Sequence, residues 1–169
     1  MEVNTVPAYD INDNPTHCCP KFDPKVWDGQ ILHFKDKLFV KALTRSIFHI
    51  PINMGSVVPK IFDAMKNADA IDDRESIILS YDTSPWHSEH YFSATKNVPG
   101  QEMIQMNGDY MTKVFEGPYK NIPKWKKEMH VFVSSKGKKV KKIYFFYTTC
   151  PKCAKFYGKN YVVAVSEME

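Results

Sequence analysis

No apolar run in the chain approaches the roughly 20 residues that a helical membrane span needs, so such a span is excluded and no membrane partner is expected. The opening MEVNTVPAYDINDNP has neither a basic start nor the apolar segment of a secretory signal, and a cytoplasmic setting is expected. Charge of one sign is not in large excess: 23 basic against 19 acidic residues leave +4. Eight lysines crowd positions 124–142, but that stretch holds no arginine and no DNA-reading motif surrounds it. It reads as a solvated helix face and turn, and no nucleic-acid partner is expected. No Ser-His-Asp or similar triad stands out.

The chain does carry the makings of one globular domain. Its 169 residues are 43% hydrophobic and 25% charged, which excludes global disorder and suffices for a real core. Aromatic residues reach 14%, and aromatics beyond the needs of a core often line ligand pockets.

Residues 1–34, rich in Asn, Asp and Pro and without a period, read as an irregular arm packed on a single domain of residues 35–169. LFVKALTRSIFHI (38–50) is strand-like and is followed by a break at 51–55. Ser56 then suits an N-cap, with Val58, Ile61, Phe62 and Met65 at helical spacing and Pro59 in the first turn. Residues 77–81 and 90–96 read as two further strands. The same order returns: a strand over 103–115, a helix from about Asn121 that stops at Gly137, and strands over 140–147 and 161–165.

Identities accompany the order. Val58-Pro59-Lys60-Ile61 matches Ile122-Pro123-Lys124-Trp125, and Tyr81 to Pro85 matches Tyr147 to Pro151. His90 to Ala94 likewise matches Asn160 to Ala164. The offset grows from 64 to 66 to 70, as it does when loop residues are gained. The expected fold is therefore α+β: duplicated β-α-β-β units (about 36–99 and 102–168) with pseudo-two-fold symmetry. Two helices should cover one sheet face and leave a concave ligand cleft opposite.

At Phe115-Glu116-Gly117-Pro118-Tyr119, followed by a Pro-bearing helix with Trp125, residues 35–168 resemble the GyrI-like small-molecule-binding domains. The segments FEGPYKN, TSPWHSEHYF and TTCPKC are similar to a stand-alone bacterial subgroup labelled hydrolases. The resemblance implies a cleft that takes flat, apolar, often cationic molecules between aromatic walls beside a buried glutamate. Some members hydrolyse cyclopropane-bearing alkylating compounds; others are sensors fused to a DNA-binding module, a role not expected for this chain. Many carry a glutamate in the last strand, where this chain has Asn160-Tyr161.

Two acids are candidates for catalysis. Glu89 lies among Trp86, His87, His90 and Tyr91, where desolvation should raise its pKa toward that of a general base at neutral pH. Glu116, beside Gly117, sits at the strand-to-helix turn, where it either caps the helix or faces the cleft. Tyr147 is the candidate to stabilise a developing oxyanion. Trp86, Tyr91, Tyr110, Tyr119 and Tyr161 are candidate ligand walls, while Trp125 belongs to an apolar helix face.

Cys18-Cys19 and Cys150-Pro151-Lys152-Cys153 form two pairs. They are reduced structural thiols or a zinc site, the latter closed with help from His17 if the arm reaches the second pair. No cofactor is otherwise required. The functional expectation is hydrolysis of reactive planar xenobiotics, a glutamate directing water between aromatic walls; the alternative is a non-catalytic module that sequesters amphiphilic cationic drugs.

Overall fold

β1 (Ile31–Ile47) is the spine of the molecule, and the computed structural model describes every residue around it, 1–169. Both of its edges are used. On one side Phe39 to Arg45 pair antiparallel with β4 (His87–Ser93); on the other, Ile31 to Lys41 pair antiparallel with β5 (Glu102–Glu116). A register shift between Phe34 and Lys37, with Asp36 at φ +51, bends the strand within the β5 ladder. The short β2 (Ile50–Pro51) folds back on the end of β1.

β3 (Ile78–Ser84) pairs with β4, β6 (Val140–Tyr147) pairs with β7 (Tyr161–Met168), and β7 pairs with β5, all antiparallel. β3 and β6 meet at a single bridge, Ser80 to Phe145. The ring β1-β4-β3-β6-β7-β5 thus returns to β1, and the mostly antiparallel sheet closes into a barrel. The strands lie in the order β1-β4-β3 in one half of the chain and β5-β7-β6 in the other.

Two helices cover the outside. α2 (Met54–Asn67) buries Ile61 and Met65 against Val40, Ala42 and Phe92. α3 (Ile122–Ser135) follows a 3₁₀ turn (Tyr119–Asn121) and buries Trp125, Met129 and Val133 against Met111, Phe115 and Phe145. Both faces follow the i, i+4 spacing of the sequence. α3 ends ahead of Gly137, whose φ of +71 suits a C′ glycine. α2 departs from expectation: it starts at Met54, and Ser56 donates from Oγ to the Asn53 carbonyl instead of capping. Pro59 consequently falls in the second turn, where its missing N–H leaves the Gly55 carbonyl without a helical partner. Two short helices, α1 (Pro24–Trp27) and α4 (Pro151–Tyr157), carry too few residues to show a period. No helix is long and apolar enough to cross a membrane.

The inner face departs from the expected open cleft. Strand alternation turns Leu32, Phe39, Leu79, Tyr91, Tyr110 and Tyr144 inward, and the arm adds Val6, Phe22 and Trp27 to the same buried cluster. The Trp27 ring lies 5.2 Å from Phe146 and the Phe22 ring 5.6 Å from Tyr161. β1 closes the sheet through its second edge, and the arm's large apolar side chains gain burial only by filling the concavity that remains.

Candidate functional site

A charged cluster interrupts this apolar interior at one end of the barrel. Its centre is Glu89 on β4, which accepts a hydrogen bond from the Tyr91 hydroxyl two residues along the same face. Lys41 of β1 brings its Nζ to 3.2 Å from one carboxylate oxygen, and Lys142 of β6 stands 3.9 Å from the other. The Lys142 ammonium also lies 4.0 Å from the centre of the Tyr81 ring, 4.8 Å from Tyr144 and 5.8 Å from Tyr91. Four strands thus supply one carboxylate with two ammonium partners, one of them set in a tyrosine cage. The side chains of Glu89, Lys41 and Lys142 are 17%, 23% and 27% exposed, so the cluster is half-buried and still reaches solvent.

The electrostatics differ from expectation. Burial does push the Glu89 carboxyl upward, but hydrogen bonds from Tyr91 and Lys41, with the charges of Lys41 and Lys142, outweigh it and hold the group below its ordinary value. Glu89 is a stabilised carboxylate at neutral pH, not a base tuned to pH 7. Burial lowers Lys142, opposed by Glu89 and Glu167 and reinforced by Lys41 and Lys141. Tyr91 is raised, first by burial and then by its bond to Glu89. Such a set can orient a water against the carboxylate and meet new negative charge with an ammonium group.

Of the neighbours expected around Glu89, strand alternation puts Tyr91 and His87 on its face; Tyr91 bonds to it, while His87, at the start of β4, is exposed. Successive residues of a strand point to opposite sides, so His90 turns outward. There it is buried between Thr44 Oγ1 and Ser80 Oγ, both 2.8 Å away, and burial lowers its pKa. Trp86 stands at the β3–β4 turn, 49% exposed and 5.1 Å from the Phe48 ring. Tyr110 is inside the barrel, its ring 6.3 Å from that of Tyr144. Tyr161 lines the same interior against Phe22. Tyr119 and Tyr147 meet edge-on at 5.0 Å, and alternation along β6 turns Tyr147 away from the face that carries Lys142 and Tyr144. Glu116 pairs at the surface with Lys159, 3.1 Å away. It does not cap α3, because the 3₁₀ turn intervenes, and it takes no part in the Glu89 ion pairs.

Lys41, Lys142, Tyr81 and Tyr144 were not singled out from the sequence. The signal was there in KKIYFFY: if Tyr144 and Phe146 face inward, so must Lys142. The Gly-Pro-Tyr turn has its own reason for glycine. Gly117 adopts φ +137, and an added Cβ would lie 3.1 Å from Asn121 Nδ2. Asn160 donates from Nδ2 to the Gly117 carbonyl at 2.7 Å and so holds that turn.

Apart from the Glu89 cluster, the arm meets the loop after β6. The Sγ atoms of Cys18, Cys19, Cys150 and Cys153 lie within 4.8 Å of one another, and His17 is not among this group. Two surface hollows, of about 290 and 460 Å³, lie elsewhere again, one beside Lys37 and Glu75 and one beside Lys127 and Phe132. Neither includes Glu89.

Among solved structures, the fold is similar to an uncharacterized conserved protein from Listeria innocua. The TM-score is 0.61 at 10% identity, over 84% of this chain and 92% of that one. SAV2435 bound to tetraphenylphosphonium aligns with a TM-score of 0.47 at 13% identity, over 84% of this chain and 94% of that one. No curated protein matches the sequence. A family model described as bacterial hydrolase matches residues 9–168, arm and barrel together, and the chain belongs to that family.

Proposed function

We propose that the chain binds a small planar molecule at the Glu89 end of the barrel and opens it by hydrolysis, as a cytoplasmic detoxifying enzyme. The observation that carries this reading is the half-buried Glu89 carboxylate, held ionised by Tyr91, Lys41 and Lys142 beside three tyrosine rings. Membership of a bacterial hydrolase family supports the reaction class. The two β-α-β-β runs, with matching strand order, support reading the fold as a GyrI-like duplication about a pseudo-two-fold axis.

In the proposed reaction Glu89 orients a water onto the strained carbon of a cyclopropane conjugated to a carbonyl. The C–O bond forms as the ring C–C bond breaks, and the electron pair passes to the carbonyl oxygen. Lys142 meets that charge, in the role the sequence suggested for Tyr147. The water's proton passes to Glu89 and then to the new oxyanion, so the carboxylate is regenerated. Little further machinery is needed because ring strain supplies the driving force.

The reading as a sequestering module for amphiphilic cations has one observation in its favour: the tyrosine cage already holds an ammonium group, that of Lys142. The same observation weakens it, since a cationic ligand must displace Lys142 from the rings and from Glu89. Incubation with a cyclopropane-bearing alkylating compound, followed by mass spectrometry, separates the two. The hydrolase reading expects a product one water heavier, formed faster than in buffer; compound returned unchanged rejects it.

A further inference from the structure

The two cysteine pairs lie far apart in sequence and serve no role in the Glu89 cluster. Cys18 and Cys19 belong to the arm, while Cys150 precedes α4 and Cys153 lies in its first turn. Folding brings all four Sγ atoms within 4.8 Å of one another, with Cys18 and Cys19 at 3.8 Å. Four sulfurs placed about 2.3 Å from a central zinc ion form a tetrahedron with edges of about 3.8 Å. The neighbouring pair Cys18-Cys19 therefore already has the span of one tetrahedral edge. The chief objection to adjacent ligands, that their sulfurs cannot reach one ion together, is met by the geometry. His17 just before them has φ +54, a left-handed turn that helps present the pair.

The surroundings are those of a ligand set. The Cys150 backbone N–H donates to Cys19 Sγ at 3.5 Å, as amides do toward metal-bound thiolates. Thr16 accepts at Oγ1 from the Cys18 and Cys19 amides, at 3.3 and 3.2 Å, and lies 3.4 Å from Cys153 Sγ. Tyr157 of α4 donates to the Cys19 carbonyl at 2.7 Å. All four cysteines are free of disulfides. Sulfur separations this short suit a single ion, whereas an iron–sulfur cluster needs wider spacing, and an all-thiolate tetrahedron is a closed, structural site.

We infer that Cys18, Cys19, Cys150 and Cys153 bind one Zn²⁺ as tetrahedral thiolate ligands, and that this ion clasps the N-terminal arm to the β6–β7 connection. The arm that fills the barrel is thus held through the β6–β7 connection, by residues that are not part of the Glu89 cluster. Zinc affinity adds directly to the stability of the folded arm, because the unfolded chain cannot assemble the site.

The test uses the whole chain, purified without chelator, incubated with equimolar Zn²⁺ and desalted. Elemental mass spectrometry should find about one zinc per chain, and all four thiols should resist iodoacetamide until a strong chelator is added. Less than about 0.2 zinc per chain, or iron in its stead, overturns the inference, as does protection of only two thiols. Cys18→Ser and Cys153→Ser should each lower retained zinc at least about tenfold. Because loss of a ligand can also unfold the loop, Co²⁺-loaded wild type gives an independent reading. Strong thiolate charge-transfer and tetrahedral visible bands are expected, and a weak octahedral spectrum contradicts the site.

Discussion

The Lys142 ammonium stands 4.0 Å above the Tyr81 ring and 3.9 Å from a Glu89 carboxylate oxygen, so one side chain both fills the aromatic cage and neutralises the acid beside it. In this chain the cage comes with its own cation.

Replacing that cation should change what the cage accepts. Lys142→Met removes a positive charge, frees the tyrosine faces and leaves Lys41 as the remaining cation beside Glu89, so a quaternary ammonium probe such as benzyltriethylammonium should bind at least about tenfold more tightly than to wild type. Titration calorimetry reads the difference. The Glu89 carboxyl should also titrate at higher pH in this variant, because one of the charges that depresses it is gone. Unchanged affinity would mean that Lys142 does not occupy the cage in solution.

Acid should destabilise the protein in two separable steps. Burial keeps His90 neutral and its folded pKa below 6.5, so it contributes stability above that value which declines as pH falls from 6.5 toward the folded pKa. Glu89 is likewise depressed, below its ordinary 4.5, and its contribution is full above 4.5 and lost as pH falls further. Urea unfolding from pH 8 to 3 should show the first loss vanish in His90→Gln. The gap between wild type and Glu89→Gln should stay constant down to about pH 4.5 and close below it.

The arm should behave as core rather than appendage. Trp27 is buried against Phe146 and Phe22, so Trp27→Ala should cost about 3–5 kcal/mol in urea unfolding. Val26→Ala, at an exposed neighbour, should stay within about 0.5 kcal/mol of wild type.

The local elements were legible from the sequence for local reasons. The stripe Trp125, Met129, Val133 marks α3, Gly137 its end, and the apolar, aromatic-rich run of 140–147 a strand that the fold reproduces residue for residue. What escaped depends on partners distant in sequence. Closure rests on β1 pairing with β5, and nothing in the strand from Ile31 to Ile47 announces that both edges are used. Val6, Phe22 and Trp27 lie in a stretch without a period, so their burial could not be read from spacing. Lys142 was hidden by composition, one of many lysines in a run whose others are solvated. Glu89 was found, but by chain neighbours such as Trp86 and His90 that the strand turns away from it.

The most direct test compares the two acids in one assay, the rate of water addition to a cyclopropane-bearing alkylating compound. Glu89→Gln should slow that proposed reaction about 10²–10⁴-fold, while Glu116→Gln, which loses only a surface pair with Lys159, should stay near wild type. Equal rates for wild type and Glu89→Gln, or a selective loss in Glu116→Gln, would contradict the account.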